Sequence, residues 1–475
     1  MRALLHCAVA SLALSACTVG PDFVPPPVAA PDSFGPEPRN VRGRTSDAEP
    51  DPQWWRRFRD PELASLEERL AAQNLDLKTA AERVAQAGAE RAVVASQGLP
   101  HVDVQSMDYY ERISQNGTAS LAAPSGAPLK FSFLQQGLNA SWELDLFGKV
   151  RRAVEAQDAT MLAAIENRRG VALMALAEAA QSYISLRGAQ TQLAIAERNL
   201  RIAEDDIRLV ESRFANGVAT TLDRAQARGQ RESIAETLPP LRAREAQLIN
   251  AIGLLLGLEP RALEPELRPP KPPPTTPGLV GVGLPATLLR RRPDLREAEA
   301  RLHAAVAEVG EAEAEFYPDV NLIGDFNVQS LTLKKLFRAS STQWTLGPTI
   351  TIPIFEGGRL RGNLALKESR HREAAIDFQK TLLHAWQEVD DALTAYAQAQ
   401  KRRAAAARAA AQDKIALDAA TQRYREGLVD FLNVNAALAQ QLRSENDLVQ
   451  SDVDVASDLV VRLYRALGGG WEIAE

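Results

Sequence analysis

The residue with the clearest chemical role is Cys17, which ends the sequence Leu14-Ser15-Ala16-Cys17. An apolar stretch from Ala3 to Leu14 follows Arg2, and small residues precede the cysteine, which is typical of a secretory signal and not of a membrane span. We interpret residues 1–16 as a lipoprotein signal peptide and predict acylation of Cys17. The alternative is an ordinary cleavage site beside a chance cysteine. Each buried CH₂ contributes roughly 0.8 kcal/mol, so a multiply acylated Cys17 would tether the chain to a bilayer.

No other pattern indicates catalysis, a cofactor or a metal site. The histidines at positions 101, 303, 371 and 384 are scattered and lack the His-Glu-x-x-His spacing of a zinc protease. Walker and dinucleotide-binding motifs are also missing from the sequence. Carboxylates are plentiful but form no recognisable motif, so we interpret them as solvated helix faces. The sequence therefore predicts a protein that is not an enzyme and needs no cofactor.

Composition narrows the class further. Cys7 lies within the predicted signal peptide, so the exported chain would hold one cysteine and no internal disulfide. The formal charge of -6 gives no reason to expect nucleic-acid binding, since no basic face is present. No run of about 18 apolar residues follows the signal, so we expect no transmembrane helix. Membrane insertion would then have to use strands.

The chain contains an internal duplication, in which matching residues keep one order through both copies. A shift of 218 places Asp76, Arg83, Glu90 and Pro100 on Asp294, Arg301, Glu308 and Pro318. A shift of 210 places Gly148, Arg151, Glu178, Arg213, Gly217 and Leu222 on Gly358, Arg361, Glu388, Arg423, Gly427 and Leu432. The change of shift predicts a shorter loop in the second copy, between the matched proline and the matched glycine.

Each copy predicts one very long helix and two strands. The runs from Lys149 to Phe214 and from Arg359 to Tyr424 have no proline and carry apolar residues at three- and four-residue steps. At 1.5 Å per residue each is a rod of roughly 100 Å, which needs neighbouring helices to cover it. On periodicity alone, a coiled-coil stalk is the alternative. The prolines Pro239 and Pro240 predict a kink or break in a second helical run, from Thr221 to Leu256.

The strand segments argue against a plain stalk. Residues around Trp142 and Trp344 alternate between apolar and polar, which is typical of strands with one apolar face. Lengths near ten residues suit a tilted transmembrane strand, apolar to lipid and polar to a lumen. Four strands cannot close a barrel, and open edges are not tolerated in hydrocarbon, so several chains must contribute. Glu143 and Asp145 would make the lumen acidic and favour cations.

Three motifs carry a family resemblance. They are the run from Trp142 to Arg152, the run from Pro353 to Arg359, and Leu284-Pro285 followed by Arg290 to Leu295. Together with the lipobox and Gly20-Pro21-Asp22, they resemble the outer-membrane factor family of TolC-like channels, in its OprM/NodT branch of efflux lipoproteins from tripartite RND pumps. Thr18 is not Asp, so the inner-membrane retention signal of such lipoproteins is missing. The resemblance places the protein in the bacterial outer membrane, lipid-anchored and extending into the periplasm.

The resemblance implies a mainly α-helical fold with a transmembrane β-barrel. We expect a two-fold internal repeat, long α-barrel helices plus four strands in each protomer, and a homotrimer that forms a 12-stranded barrel. The predicted segments follow in chain order. They are an acylated strap with equatorial contacts over 17–61, repeat 1 over 62–258 (strands near 101–113 and 132–147), an equatorial linker over 259–293, repeat 2 over 294–467 (strands near 320–330 and 341–355), and a tail over 468–475.

The resemblance also implies a periplasmic gate at the helix-turn-helix ends. The expected gate residues are Leu432, Asn433, Ala436, Asp430, Leu222 and Asp223. Asn433 and Ala436 carry no charge where the family often has acidic rings, so we expect an apolar Leu432 ring, with Asp430 or Asp223 supplying charge. The expected adaptor-facing residues are Arg213, Gly217, Val218, Arg423, Gly427 and Leu428. For Arg213 and Arg423 we expect contacts with the adaptor or between helices. Solvated arginines in simple turns are the alternative.

Two functions fit this prediction. The first is the exit channel of a tripartite efflux pump, with a periplasmic adaptor and an inner-membrane, proton-driven RND-type transporter as partners. Such a channel would pass drugs or other small toxic solutes. The second is the exit duct of an ABC-driven type I protein secretion system. Neither involves nucleic acid, and the sequence does not identify the substrate, because the transporter selects it.

Overall fold

The computed structural model describes residues 18–27, 44–46, 48–116, 129–283 and 288–474. Cys17 and the signal peptide lie outside the described residues, as do Leu284 and Pro285 of the third motif. Most of the described chain is helical. Within it, no helix is both long enough and apolar enough to cross a bilayer.

Two helices of 67 residues, one from each copy, dominate the fold. In chain order the α-helices are α1 (Pro61–Gln73), α2 (Leu75–Ser96), α3 (Lys149–Ala215), α4 (Thr221–Leu255), α5 (Glu264–Leu267), α6 (Leu288–Arg291), α7 (Pro293–Ala314), α8 (Leu333–Leu336), α9 (Arg359–Arg425), α10 (Phe431–Ser457) and α11 (Arg465–Leu467). A π-helical segment, Asp458–Tyr464, joins the last two. Short 3-10 helices cover Trp54–Phe58, Ala339–Ser341 and Trp471–Ala474.

Helix α4 runs through Pro239 and Pro240 as one continuous element, so of the predicted kink or break the break does not occur. Each proline removes one backbone hydrogen bond. Both rings are exposed, so the carbonyl groups that lose their donors can be hydrated instead. Ile234 and Leu238, just before the prolines, are buried and hold this part of the helix in place.

The strands are β1 (Arg44–Ser46), β2 (His101–Arg112), β3 (Lys130–Glu143), β4 (Leu279–Gly281), β5 (Asp319–Ser330) and β6 (Thr342–Thr351). Strands β2, β3, β5 and β6 form an antiparallel sheet in that order. Strands β1 and β4 form a separate parallel pair. The segments predicted as a strap and a linker therefore also contain regular structure.

Two of the four long strands end earlier than predicted. Strand β3 stops at Glu143 because Asp145 accepts hydrogen bonds from the backbone N–H groups of Val150 and Arg151, at 3.2 and 2.9 Å, and so caps helix α3. Strand β6 stops at Thr351. Pro353, which has no N–H group for a ladder, follows two residues later.

The chain divides into two compact units. The first unit comprises residues 1–26, 85–163 and 299–377 and contains the four-stranded sheet. The second unit comprises residues 27–84, 164–298 and 378–475 and contains both helix-turn-helix ends. Helices α2, α3, α7 and α9 each contribute to both units.

The second unit has two apolar clusters. The larger contains Trp54, Trp55, Phe58 and Tyr464, with ring centroids of Trp54 and Tyr464 stacked at 5.2 Å. The predicted equatorial segments meet here, since Thr275 Oγ1 donates to Phe58 O at 3.4 Å and Trp471 Nε1 donates to Arg291 O at 3.2 Å. Fully burying an apolar or aromatic side chain contributes about 1.5–3 kcal/mol. This cluster therefore anchors the ends of the strap and the tail.

A buried arginine ties the linker to this core. Arg187 pairs with Glu62 and donates to the carbonyl groups of Leu267 and Pro269 at 3.1 and 3.0 Å. Burial by itself would raise the pKa of Glu62, but Lys271 and Arg187 outweigh burial and lower it. Glu62 is therefore held as the carboxylate.

Candidate functional site: the sheet and the helix-turn-helix ends

The four-stranded sheet has one apolar and one polar face. Val104, Leu138, Phe326 and Trp344 stand opposite one another in a single row across the strands. The adjacent row holds Asp103, Asn139, Asp325 and Thr345. Strands β2 and β6 are the edges, and neither pairs on its outer side within the described residues. Such a sheet needs both an apolar environment for one face and further strands at its edges.

The sequence predicts that Glu143 and Asp145 make the lumen acidic, and in the structure each of these carboxylates has a cation beside it at the strand-to-helix junction. Lys149 Nζ lies 2.8 Å from Glu143 Oε1, and Arg151 Nε lies 3.2 Å from Asp145 Oδ2. Both carboxylates are thus neutralised at the strand-to-helix junction. Asp103 and Asp325 carry the acidic charge of the polar row instead.

In the first copy, helix α3 ends at a glycine turn and α4 begins with a full set of capping contacts. Gly217 has a φ of +72°, the left-handed conformation that favours glycine after a helix. The Thr220 hydroxyl accepts from Asp223 N at 3.2 Å, and Asp223 Oδ2 accepts from Thr220 N at 2.7 Å. This capping box fixes the start of α4. Asp223 therefore serves the helix start.

In the second copy the equivalent turn lacks that support. Gly427 has a φ of +77°, like its counterpart. A shift of 210 places Asp430 where the first copy has Thr220, and Asn433 where it has Asp223. Asp430 is the N-cap of α10 but its side chain makes no capping hydrogen bond. Because a lost N-cap costs about 0.5–2 kcal/mol, the start of α10 opens more easily than the start of α4.

Arg213 joins the two copies across the tip. Its guanidinium donates to the Tyr424 carbonyl oxygen at 2.7 Å and lies 4.6 Å from the centroid of the Tyr424 ring. Tyr424 in turn packs edge-on against Phe431, with centroids 5.4 Å apart. Arg213 therefore links the end of α3 to the end of α9 and the start of α10. We call this contact the arginine clamp.

Arg423 occupies the equivalent position in the second copy but behaves differently. It is exposed, and it forms no side-chain hydrogen bond or ion pair within the described part of the chain. The two arginines predicted as a matched pair thus have distinct environments. Of these two arginines, Arg213 is the one that contacts another helix within the described residues.

A carboxylate near the clamp has an altered acidity. Burial raises the pKa of Asp206 to about 6, with Arg425 opposing the shift and Asp205 adding to it. Asp206 lies on α3 and Arg425 is the last residue of α9. Protonation below that pKa removes the attraction to Arg425 but relieves the larger cost of a buried charge.

The other predicted gate and tip residues are exposed. Leu222 and Leu432 occupy equivalent positions and are 64% and 57% exposed. Asn433, Ala436, Asp430, Val218 and Leu428 lie wholly or partly at the surface. The exposed apolar side chain at each turn is available to contact another chain. The predicted ring of Leu432 side chains requires several protomers.

The residues that follow the predicted lipid anchor are fixed to the first unit. Val19 N donates to Phe147 O at 3.1 Å, and the buried Arg152 donates to Val19 O and Gly20 O at 3.1 and 3.2 Å. Gly20 has a φ of +90°, and a Cβ there would lie 2.3 Å from the Gly310 Cα. Residues 19 and 20 therefore lie against the strand-to-helix junction.

Tyr424 and Asp206 are functional candidates that the sequence prediction missed. The 210-residue shift aligns Phe214 with Tyr424. An aromatic residue therefore directly follows both Arg213 and Arg423, the two arginines predicted at the tips. That pattern was a usable signal for an arginine–aromatic contact. Asp206 gives no such signal, because its acidity depends on packing.

The chain is similar to known outer-membrane efflux proteins over most of its length. The family described as outer membrane efflux protein matches residues 66–258 and 284–469. The cation efflux system protein CusC of Escherichia coli O6:H1 is 31% identical over 463 residues, covering 97% of each chain. Outer membrane protein OprJ of Pseudomonas aeruginosa is 32% identical over 468 residues, covering 97% of this chain and 95% of OprJ. The solved structure of the outer-membrane channel OprN aligns with a TM-score of 0.88 at 32% identity, covering 96% of this chain and 100% of OprN.

Proposed function

Because the chain belongs to the outer membrane efflux protein family, we propose that it is the trimeric exit channel of a tripartite efflux pump in the bacterial outer membrane. Membership of this family also makes it a transport protein and not an enzyme. In this role the channel conducts passively, and a partner in the inner membrane supplies the energy. The observation that carries the proposal is the sheet with one polar face and two edges that pair with nothing in the described chain.

Trimerisation satisfies those edges. When β6 of one protomer pairs with β2 of the next, three four-stranded sheets join into a closed barrel of twelve strands. The row of Asp103, Asn139, Asp325 and Thr345 then lines the water-filled interior, and the row containing Trp344 faces lipid. Acylated Cys17 anchors each protomer in the periplasmic leaflet.

The helix-turn-helix ends form the gate and the docking site for a periplasmic adaptor. The arginine clamp holds the resting state. The exposed Leu432 side chains of the three protomers approach one another and narrow the opening. On opening, the helix-turn-helix of the second internal repeat moves, because Asp430 makes no capping hydrogen bond at the start of α10. Thr220 and Asp223 fix the corresponding helix start in the first repeat. Val218 and Leu428, exposed at the turns, contact the adaptor.

Small toxic solutes are the proposed cargo, delivered by a proton-driven RND-type transporter. The relatives include one named for cation efflux and one named for toluene efflux, so chemically different solutes pass through similar channels. The specificity of the pump therefore lies with the transporter. No contact within the described residues favours a secreted polypeptide over a small solute.

Two experiments test this proposal. The first is single-channel recording of the full-length protein in planar bilayers, where a water-filled trimer gives stable conductance and a non-conducting stalk gives none. The second places single cysteines at Val218 and Leu428, with Cys17 acylated and no other thiol in the exported chain, and crosslinks in living cells. A matched control cysteine at Ile376, exposed on α9 in the first unit, reports non-specific capture.

Capture of an adaptor associated with an RND transporter, by the tip cysteines and not by the control, supports efflux. Capture of an ABC-associated adaptor would contradict it and favour protein secretion. Equal capture at all three positions would contradict docking at the tips.

A further inference from the structure

The end of the four-stranded sheet opposite the strand-to-helix junction carries a group of exposed cations. They are Arg112 and Lys130, which face each other across β2 and β3, and Lys334, Lys335 and Arg338 in the connection from β5 to β6. All five are exposed, and within the described residues none forms an ion pair or a side-chain hydrogen bond. We call this set the cation collar.

The surrounding sequence does not neutralise the collar. Residues 112–142 and 326–355 contain no aspartate or glutamate at all. The acids closest along the chain are Asp108 and Glu111 on β2, two against five cations. This end of the sheet therefore has a net positive charge whose complement must come from another molecule.

Apolar and aromatic side chains lie directly inside the collar. Tyr110 and Trp344 are exposed on the apolar face near the same ends of their strands, whereas the stacked rings of Tyr109 and Phe133, with centroids 4.9 Å apart, belong to the polar face. Tyrosine and tryptophan favour the boundary between hydrocarbon and headgroups. Exposed aromatics on the apolar face, followed along the strands by cations, are the arrangement expected where the hydrocarbon ends and charged headgroups begin.

The β5–β6 connection presents its cations from a fixed platform. Helix α8 buries Leu336, which is 1% exposed, and leaves Leu333 and Phe337 at 70% and 73%. Ser341 Oγ donates to Lys335 O at 2.7 Å, and Ser330 Oγ donates to Thr332 O at 2.9 Å, so both ends of the connection are closed. Exposed apolar side chains alternate here with cations, which suits a partner that has both acyl chains and negative headgroups.

Orientation selects the leaflet. Residues 18–23 contact the strand-to-helix junction at the other end of the same strands. If the acylated end lies in the periplasmic leaflet, as the proposed function requires, the collar lies in the outer leaflet. We propose that the cation collar binds the phosphate groups of anionic lipids in the outer leaflet, with Leu333 and Phe337 against their acyl chains.

The test is a lipid titration of the full-length protein, followed by native mass spectrometry. The probe is lipid A, a diphosphorylated glycolipid, and phosphatidylcholine is the zwitterionic comparison. The test variant combines Lys334→Ala, Lys335→Ala and Arg338→Ala. A control variant removes the same charges from exposed positions of α9 in the second unit, as Lys401→Ala, Lys414→Ala and Arg408→Ala. A charge-keeping variant combines Lys334→Arg with Lys335→Arg.

Each cation near an anionic lipid surface contributes roughly fivefold to binding, so the test variant should lose on the order of 100-fold in apparent affinity for lipid A. The control and charge-keeping variants should stay within about threefold of the wild type, since the collar's charge is intact in both. Equal wild-type binding of lipid A and phosphatidylcholine, or unchanged binding in the test variant, would overturn the inference.

The inference and the proposed function fail separately. Stable conductance from a wild-type protein that shows no preference for lipid A overturns the collar alone. Preferential lipid A binding by a wild-type protein that never conducts supports the collar and overturns the channel.

Discussion

Removing the arginine clamp should open the channel. In the Arg213→Ala variant the guanidinium no longer donates to Tyr424 O, a contact of 2.7 Å, and no longer stacks on the Tyr424 ring at 4.6 Å. A hydrogen bond from a charged donor contributes about 1.5–3 kcal/mol, and a cation–π contact at an exposed site about 0.5–1 kcal/mol. Arg213 is half-exposed, so we take the lower part of these ranges, about 2 kcal/mol per protomer.

A loss of about 2 kcal/mol from the resting state alone shifts the ratio of open to closed tips roughly 30-fold. Single-channel recording measures this directly as the fraction of time spent in the higher-conductance state. Arg213→Lys keeps the charge but not the planar stack, so its effect should be intermediate. The matched control is Arg423→Ala, the equivalent arginine of the second copy, which is exposed and makes no contact of this kind in the described chain.

The control decides between the clamp and a general effect of charge. If Arg213→Ala and Arg423→Ala change the open fraction equally, charge loss at the tip explains both and the clamp has no role. An unchanged open fraction in Arg213→Ala would refute the reasoning outright.

Three further predictions concern acidity, the apolar constriction and the anchor. The raised pKa of Asp206, about 6 in the folded chain, means that folding takes up a proton between pH 4 and 6; local stability of the tip therefore rises as pH falls through 6. Asp206→Asn, which carries no charge, should stabilise the tip by about 1 kcal/mol at pH 8, after allowance for partial exposure. In this variant, the protection of α3 amides near residue 206 against hydrogen exchange should no longer change with pH. Leu432→Ser should raise single-channel conductance more than Leu222→Ser if second-copy helices close the opening, and equal effects would contradict that assignment. Cys17→Ser should abolish incorporation of radiolabelled palmitate and reduce recovery in the outer-membrane fraction, and labelling that persists in the variant would exclude Cys17 as the acylation site.

The long helices and their turns could be predicted because they depend on local pattern. Apolar residues at helical spacing predicted the rods within a residue of their observed ends at Ala215 and Arg425. Gly217 and Gly427 marked the turns because a left-handed φ leaves few other choices. The strands predicted near 101–113 and 320–330 likewise lie close to the observed β2 and β5.

Features that depend on which groups bond or pack together in the folded chain could not be predicted. Asp145 fits the alternating pattern of β3, but its carboxylate accepts hydrogen bonds from two backbone N–H groups at the start of α3. Helix α4 continues through Pro239 and Pro240 where Ile234 and Leu238 are buried, and the sequence does not report that burial. The choice between Arg213 and Arg423 for the clamp also depends on packing across copies.

The two copies have diverged where symmetry would be a disadvantage. In a trimer the six helix-turn-helix ends are equivalent only in outline, since Thr220 and Asp223 cap one set and Asp430 and Asn433 fail to cap the other. The clamp runs in one direction only, from the first copy to the second, so releasing it frees the end that is already less well capped. A tip with one fixed and one yielding half can open by moving three helix pairs while the other three retain their contacts. That asymmetry follows from substitutions at three aligned pairs, Thr220 with Asp430, Asp223 with Asn433, and Phe214 with Tyr424.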